Sequence, residues 1–483
     1  MESKKHYKRK LKLAFISTGL IFVAFFLVVI VDQDQNFELM EYQYHEERPE
    51  KLISESTYFE NTPPVLTLTP RSIFADALLL VEVIEANHPI FILDGGSMLP
   101  VYYEERRAEF LEFAALATER EDFDWSCMIN REKFELAAHR YISLLQDGHM
   151  SGNSLIRRQQ NTSIVITEDW FVEDSRLFLV RDNVVSEIIA IGGAYIADIF
   201  YQVDRHFFAE NEFDRQRNYV MHSRRRGILL KAGAQELTSN NIQMELTIEK
   251  DGQISITNTI LQWGNPVLLD GKIRVPININ NATLFHEIDD DIFYIKLRSS
   301  AIPHSYINDA LAAIGMARYR GVTNFIIDVR NNEGGNSEIG RRLLIALSMT
   351  APRNGRFLRA GPLSEHQTNM EVSSNTFSIN PHNLSLVVLT SNYTYSAANM
   401  LAAWVQDGSL GTIIGEPSRN SPSQFGYWSI GAVLLPYSGF GTNVSQAWFS
   451  RPDISADQTT LWPDIIVESR YALDVAIDYL RNR

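Results

Sequence analysis

Three short stretches carry residues whose types and spacing suit chemistry. The first runs Asp328-Val329-Arg330-Asn331-Asn332-Glu333-Gly334-Gly335-Asn336, after an apolar Ile326-Ile327 pair. Adjacent glycines let the backbone turn sharply and present N–H groups outward, which can hold an oxyanion or a phosphate. No G-x-x-x-x-G-K-[ST] or G-x-G-x-x-G pattern occurs here, so a phosphate loop is a poor match and an ordinary strand-to-helix turn is the plain alternative. The second stretch, Leu386–Thr390 followed by Ser391–Met400, puts Ser396 at a helix start ahead of Ala397 and Ala398. A hydroxyl there lies at the positive end of the helix dipole, beside N–H groups that favour a developing oxyanion. A simple N-cap serine is the alternative. The third, Leu145-Gln146-Asp147-Gly148-His149, brings an imidazole out of a helix end into a loop. Such a group titrates near neutral pH, although a solvent-exposed or C-capping histidine has the same pattern. The His88-Pro89 pair is loop-like and is read as structural.

The elements that must position these residues fall into zones. Ile73, Ala77, Leu80 and Ile84 recur at helical spacing, as do Phe110, Phe113, Ala114 and Leu116, and residues 71–155 read as a helical region. Residues 156–275 are strand-rich (164–166, 177–180, 187–191, 244–249, 254–259), with one long polar helix expected over 197–217. From 276 to 483 strands alternate with helices: strands at 293–297, 324–329 and 384–390, helices at 305–320, 340–347, 396–406 and 472–480. That alternation implies an α/β sheet covered by helices. Residues 32–70, with Pro49, Pro63, Pro64 and Pro70, read as a linker.

The chain has 483 residues and a formal net charge of −15, which argues against nucleic acid as a partner. Its single cysteine, Cys127, excludes a disulfide framework and a multi-cysteine metal site. No metal and no cofactor is expected. Residues 1–12 hold six cations and one anion, and Leu13–Val31 carries no charge. At about 1.5 Å per residue this run spans close to a bilayer core of roughly 30 Å. It is expected to be a transmembrane signal anchor, with residues 1–12 as a cytoplasmic tail, the bulk of the chain extracytoplasmic and the lipid bilayer as one partner. A cleaved signal peptide is the alternative, but no A-x-A-like site follows.

Taken together, Asp328–Gly335, Tyr395-Ser396-Ala397-Ala398, Gly415-Glu416-Pro417-Ser418 and Pro463-Asp464-Ile465 resemble the S41 serine peptidases, the tail-specific peptidases and the tricorn core. Asn87-His88-Pro89 and Leu145–His149 fit the helical region of bacterial members. Glu187–Gln235 is similar to their PDZ-like module. The resemblance implies a ClpP/crotonase-like α/β core behind a helical region and a small PDZ-like β-rich module. It implies Ser396 as nucleophile and an oxyanion hole from a backbone N–H of Gly334 or Gly335 with the N–H of Ala397. A peptide or protein is then the substrate.

One branch of that family uses a Ser–Lys dyad, but no lysine follows Lys296, and arginine cannot accept the serine proton. The tricorn-like branch uses a histidine, for which His149 is the matching position. His304, His366 and His382 are the competitors. The resemblance implies an acid shortly before the late Pro-Asp, hence Asp457, with Asp453 next. The tricorn core has a serine beside its histidine, where this chain has Gly148. The expected activity is therefore a membrane-anchored serine endopeptidase. A catalytically inactive, peptide-binding ectodomain on the same scaffold is the alternative.

Overall fold

The structure is a computed structural model and describes residues 25–31, 37–43, 70–119, 128–151, 164–236, 243–263, 283–289, 291–352, 354–361, 370–371, 384–426 and 432–483. Strands β1 (Phe25–Val31) and β2 (Phe37–Gln43) pair antiparallel, and Val28 lies opposite Val433. Residues 13–24 of the expected membrane helix lie outside the described residues. Residues 25–31 of that expected helix are strand β1 in the structure. Among the described residues no helix is long and apolar enough to cross a membrane.

Helices α1 (Pro70–Asn87), α2 (Tyr103–Glu119) and α3 (Met128–Ile142) bury the expected stripe of Ile73, Ala77, Leu80 and Ile84. Their core also takes in Phe425, Leu435 and Phe440 from far downstream, so the helical region shares one interior with the C-terminal half. After α3 the chain tightens, and Gln146 takes the left-handed conformation at φ 54°. A single turn, α4 (Gly148–Ser151), then starts with Asp147 Oδ1 accepting the His149 N–H at 2.8 Å. His149 is thus buried in a short helix rather than carried on a loop.

The middle zone is a mostly antiparallel sheet of β3 (Ile164–Ile166), β4 (Asp169–Glu173), β5 (Arg176–Arg181), β6 (Val184–Ile191), β7 (Ala194–Tyr195), β8 (Gln243–Lys250) and β9 (Gln253–Trp263). Against it pack α5 (Ile196–His206), α6 (Glu212–His222) and α7 (Arg226–Lys231), around Trp170, Ile199 and Leu246. The single helix expected over 197–217 is corrected to two. The Asn211 side chain accepts the Asp214 N–H and starts α6 afresh, so residues 207–211 form a break between the two helices.

The C-terminal zone comprises β10 (Thr283–Asp289), β11 (Ile292–Leu297), α8 (Asn308–Tyr319), β12 (Asn324–Asp328), α9 (Glu338–Ala346), β13 (Arg356–Arg359), β14 (Met370–Glu371), β15 (Ser385–Thr390), α10 (Ala397–Asp407), β16 (Thr412–Gly415), β17 (Gln424–Gly426), β18 (Ala432–Leu434), β19 (Gly441–Asn443), β20 (Ala447–Phe449), β21 (Ile465–Ile466) and α11 (Ala472–Arg481). Its main sheet runs β10-β11-β12-β15-β16-β21, parallel from β11 onward. Phe325, Ile327, Leu386 and Val388 face the core shared with α8, α9 and α10. Ile326, Val387 and Leu389 face α11. Burial on both faces explains the unbroken apolar runs of β12 and β15. Because the strands are parallel, the turns leaving β12, β15 and β16 emerge along one edge, where α/β sheets place their sites. Two small sheets, β14-β13-β20-β17 and β19-β18-β1-β2, complete the zone.

Candidate active site

Asp328 pairs in register with Leu389, so the turns after β12 and β15 start side by side. They are stitched together. Thr394 Oγ1 donates to the Val329 carbonyl at 3.0 Å, Tyr395 N–H to that of Asn332 at 3.0 Å, and the Ser391 hydroxyl to that of Arg330. Buried Asp328 accepts from Arg330 at 2.7 Å and from the Tyr294 hydroxyl at 2.6 Å, which fixes the end of β12.

This stitching holds Ser396 in a sparsely populated backbone conformation, φ 53° and ψ −123°, directly ahead of α10. A non-glycine residue there costs roughly 1–3 kcal/mol, and such strain concentrates at functional sites. The conformation turns the backbone sharply, so the side chain stands at the helix N-terminus, partly exposed. Ser396 N–H is not left to the site: it donates to Asn420 Oδ1 at 3.0 Å. Gly334 packs against the serine, and a Cβ on it would lie 2.6 Å from Ser396 Cβ and 2.9 Å from Ala397 N. Only glycine fits.

The turn also distinguishes the two glycines. Gly334 N–H donates to Asn332 Oδ1 at 2.8 Å and is occupied. The N–H groups of Gly335 and Ala397 donate to no group among the described residues. One comes from the strained turn and the other from the first residue of α10, and both suit an oxyanion.

His149 packs its ring on Tyr395, the residue before the serine, at 4.9 Å between centroids. Its Nδ1 lies 3.7 Å from Asp147 Oδ1 and 3.7 Å from Glu210 Oε1. Burial alone pulls the imidazole pKa down, but Glu210 and Asp147 outweigh it, and the result lies above the ordinary value. Burial pushes Glu210 up, against the pull of His149. Asp147 is held below the usual range despite burial, because His88 donates Nε2–H to its Oδ2 at 3.2 Å. His88 Nδ1 accepts the Ile90 N–H, which leaves the proton on Nε2.

The structure therefore brings Ser396, His149, Gly334, Gly335 and Ala397 together, and it does not bring Asp457 to them. Asp457 is exposed and accepts from Thr459 N–H at 2.8 Å, Thr459 Oγ1 at 2.7 Å and Trp462 Nε1 at 3.1 Å, closing a local turn. Asp453 likewise binds Ser455. Of the competing histidines, His366 and His382 lie outside the described residues.

The residue that sequence reasoning missed is Glu210, in the break between α5 and α6. Its Oε1 accepts the Gly148 N–H at 3.1 Å and its Oε2 the Ser421 N–H at 2.8 Å. The missing serine beside the histidine has the same explanation. A Cβ on Gly148 would lie 2.5 Å from Glu210 Oε1 and 2.9 Å from Tyr395 Oη, so the carboxylate fills that space. Arg419 also packs on the Tyr395 ring, 3.9 Å from its centroid, and pairs with Asp214 at 3.4 Å and Glu333 at 3.6 Å. The one available signal for Glu210 was a second helix N-cap at Asn211.

The description of Peptidase family S41 matches residues 291–466. The chain carries a peptidase family S41 domain. The matched stretch is that of a serine peptidase family. Mature CPAF superposes on this chain with a TM-score of 0.53 at 12% identity, covering 86% of this chain and 96% of that one. Mature CPAF complexed with lactacystin gives 0.52 at 12% identity, over 86% and 97%. The photosystem II D1 C-terminal processing protease gives 0.40 at 14% identity, over 82% and 94%. At these identities the CPAF likeness establishes the fold alone. No curated protein matches the chain. Within the S41 domain the remaining motif residues are structural. Glu416 accepts the N–H groups of Asn392 and Ser469, and Asp464 accepts that of Ile413 at 2.7 Å.

Proposed function

We propose that this chain is a serine endopeptidase that cleaves peptides or proteins through an acyl-enzyme, with Ser396 as nucleophile and His149 as general base. The observation that carries the reading is Ser396 itself. A serine at φ 53° at a helix N-terminus, with a glycine forced against it and the uncommitted N–H groups of Gly335 and Ala397 close in the chain, is a nucleophile's setting and needless for an N-cap. Ser396 Oγ attacks the scissile carbonyl while its proton passes to His149 Nε2. The carbonyl oxygen gains charge and is held by the N–H groups of Gly335 and Ala397. His149 then protonates the leaving amine, and water enters by the same base to release the acyl group. Glu210, not Asp457, is the carboxylate that orients the imidazole and stabilises the imidazolium, with Asp147 in support.

The zone over 164–263 is proposed to be the PDZ-like module, and through Glu210 it supplies part of the site rather than only spacing the domains. The basic residues 1–12 and the uncharged Leu13–Val31 favour a chain anchored in a membrane with its catalytic zone extracytoplasmic. Resistance of the full chain to alkaline carbonate extraction is the expected result, and release into the soluble fraction would remove the anchor.

Glu333, an acidic side chain in the Gly-Gly turn that pairs with Arg419 at 3.6 Å, favours a second reading, an inactive peptide-binding scaffold. Hydrolysis of an unstructured protein substrate by the parent and not by Ser396→Ala supports the peptidase. Binding without hydrolysis by both supports the scaffold.

A further inference from the structure

Asp147, His149 and Glu210 each offer one ligand atom, and these atoms all lie within 4.8 Å of one another. They come from two remote parts of the chain, the start of α4 and the break before α6, and all three side chains are at most 5% exposed. The two separations from His149 Nδ1, 3.7 Å each, are long for hydrogen bonds. Two ligands at about 2.1 Å from one ion stand roughly 3.4 Å apart at a tetrahedral angle and about 3.6 Å apart at a trigonal one. One imidazole and two carboxylates suit zinc-class ions, whereas calcium and magnesium prefer all-oxygen sets.

We propose that Asp147, His149 and Glu210 form a zinc-class cation site that switches the peptidase off. This rests on His149 acting as the general base. The ion takes the lone pair of Nδ1, which holds the neutral ring in the tautomer whose single proton sits on Nε2 instead of Nδ1. Nε2 then has no lone pair with which to accept the Ser396 proton. The ion also neutralises two buried carboxylates. Arg419, packed on Tyr395, opposes it from one side and limits affinity. Because the three ligands are closed in by residues 208–214 and Tyr395, loading is slow and inhibition develops with time.

The test titrates zinc chloride into the full chain carrying Ser396→Ala, by calorimetry, and in parallel follows peptide hydrolysis by the parent. The expected result is one zinc per chain in the Ser396→Ala protein. In that background Glu210→Gln and His149→Gln, each with an unchanged circular dichroism spectrum, should weaken binding by a factor on the order of ten to a hundred. The parent should lose activity over the same zinc range, regain it with a chelator, and ignore magnesium. No zinc binding overturns the proposal while leaving the peptidase reading intact. Binding that both ligand variants retain places the ion elsewhere and also overturns it. Binding at these ligands with undiminished hydrolysis contradicts both the switch and the role of His149. A parent without hydrolytic activity refutes the peptidase reading, and the switch with it, whatever the calorimetry gives.

Discussion

Replacing Glu210 by Gln keeps the size of the side chain and removes its charge. The carboxylate stands 3.7 Å from His149 Nδ1 in a buried setting. At an effective dielectric of about 20, two unit charges at that distance interact by roughly 4–5 kcal/mol. Asp147 Oδ1, at the same 3.7 Å, remains in the variant and takes up part of that stabilisation. About half should be lost from the transition state, where the imidazolium forms, and little from the ground state. At 1.36 kcal/mol per decade this lowers kcat by about 30–70-fold, with KM within a few-fold of the parent. The assay is steady-state hydrolysis of a fluorogenic peptide, with a thermal melt to confirm that the variant is folded. The matched control is Asp457→Asn, which disturbs only an exposed turn and should leave kcat unchanged. A Glu210→Gln enzyme within threefold of the parent, or an Asp457→Asn enzyme reduced a hundredfold, would refute this assignment of the acid.

Gly334→Ala should abolish turnover, since the new methyl would lie 2.6 Å from Ser396 Cβ; an active Ala variant by the same peptide assay would show that the turn yields. Ser396→Gly should be more stable than Ser396→Ala by about 1 kcal/mol in urea unfolding, because glycine accepts φ 53° without strain. Equal stabilities would remove the strain argument. The buried pair of Arg451 and Asp407 should cost about 3–5 kcal/mol when Asp407→Asn leaves the guanidinium uncompensated, read from the same urea curves. Burial pulls His206 down to about 4, and His139 and His222 are lowered too. Their folded pKa values lie below the unfolded one, so the unfolded state binds more protons in acid. Stability is then fullest above about pH 6.5 and falls toward pH 4. His206 alone accounts for about 2 kcal/mol lost by pH 5, and unfolding curves that coincide at pH 7 and 5 would contradict this.

The sequence carried most of the C-terminal zone because its signals are local. β12 and β15 are short apolar runs bounded by turn residues, Gly334-Gly335 marks a turn that only glycine can make, and Ser396 stands where a helix begins. Asp147-Gly148-His149 was recognisable as a candidate, although its burial was not, since that depends on Tyr395 and Glu210 from other elements. Glu210 itself was hidden twice over. It lies in a five-residue break inside what reads as one polar helix, and it reaches His149 across a domain boundary that no periodicity reports. Asp457 sits at the position the family pattern suggests for an acid, yet the hydrogen bonds of its own turn satisfy its carboxylate. Residues 25–31 show the ambiguity of a short apolar run, whose composition suits a membrane helix and a paired strand alike.

The central claim is that Ser396 is a nucleophile activated by His149. It is tested most directly by treating the full chain with a fluorophosphonate probe beside Ser396→Ala and His149→Ala. The account expects stoichiometric labelling of the parent and none of the serine variant, with the histidine variant slowed by orders of magnitude. A folded parent that takes up no label, or a His149→Ala protein labelled at the parent's rate, would contradict it.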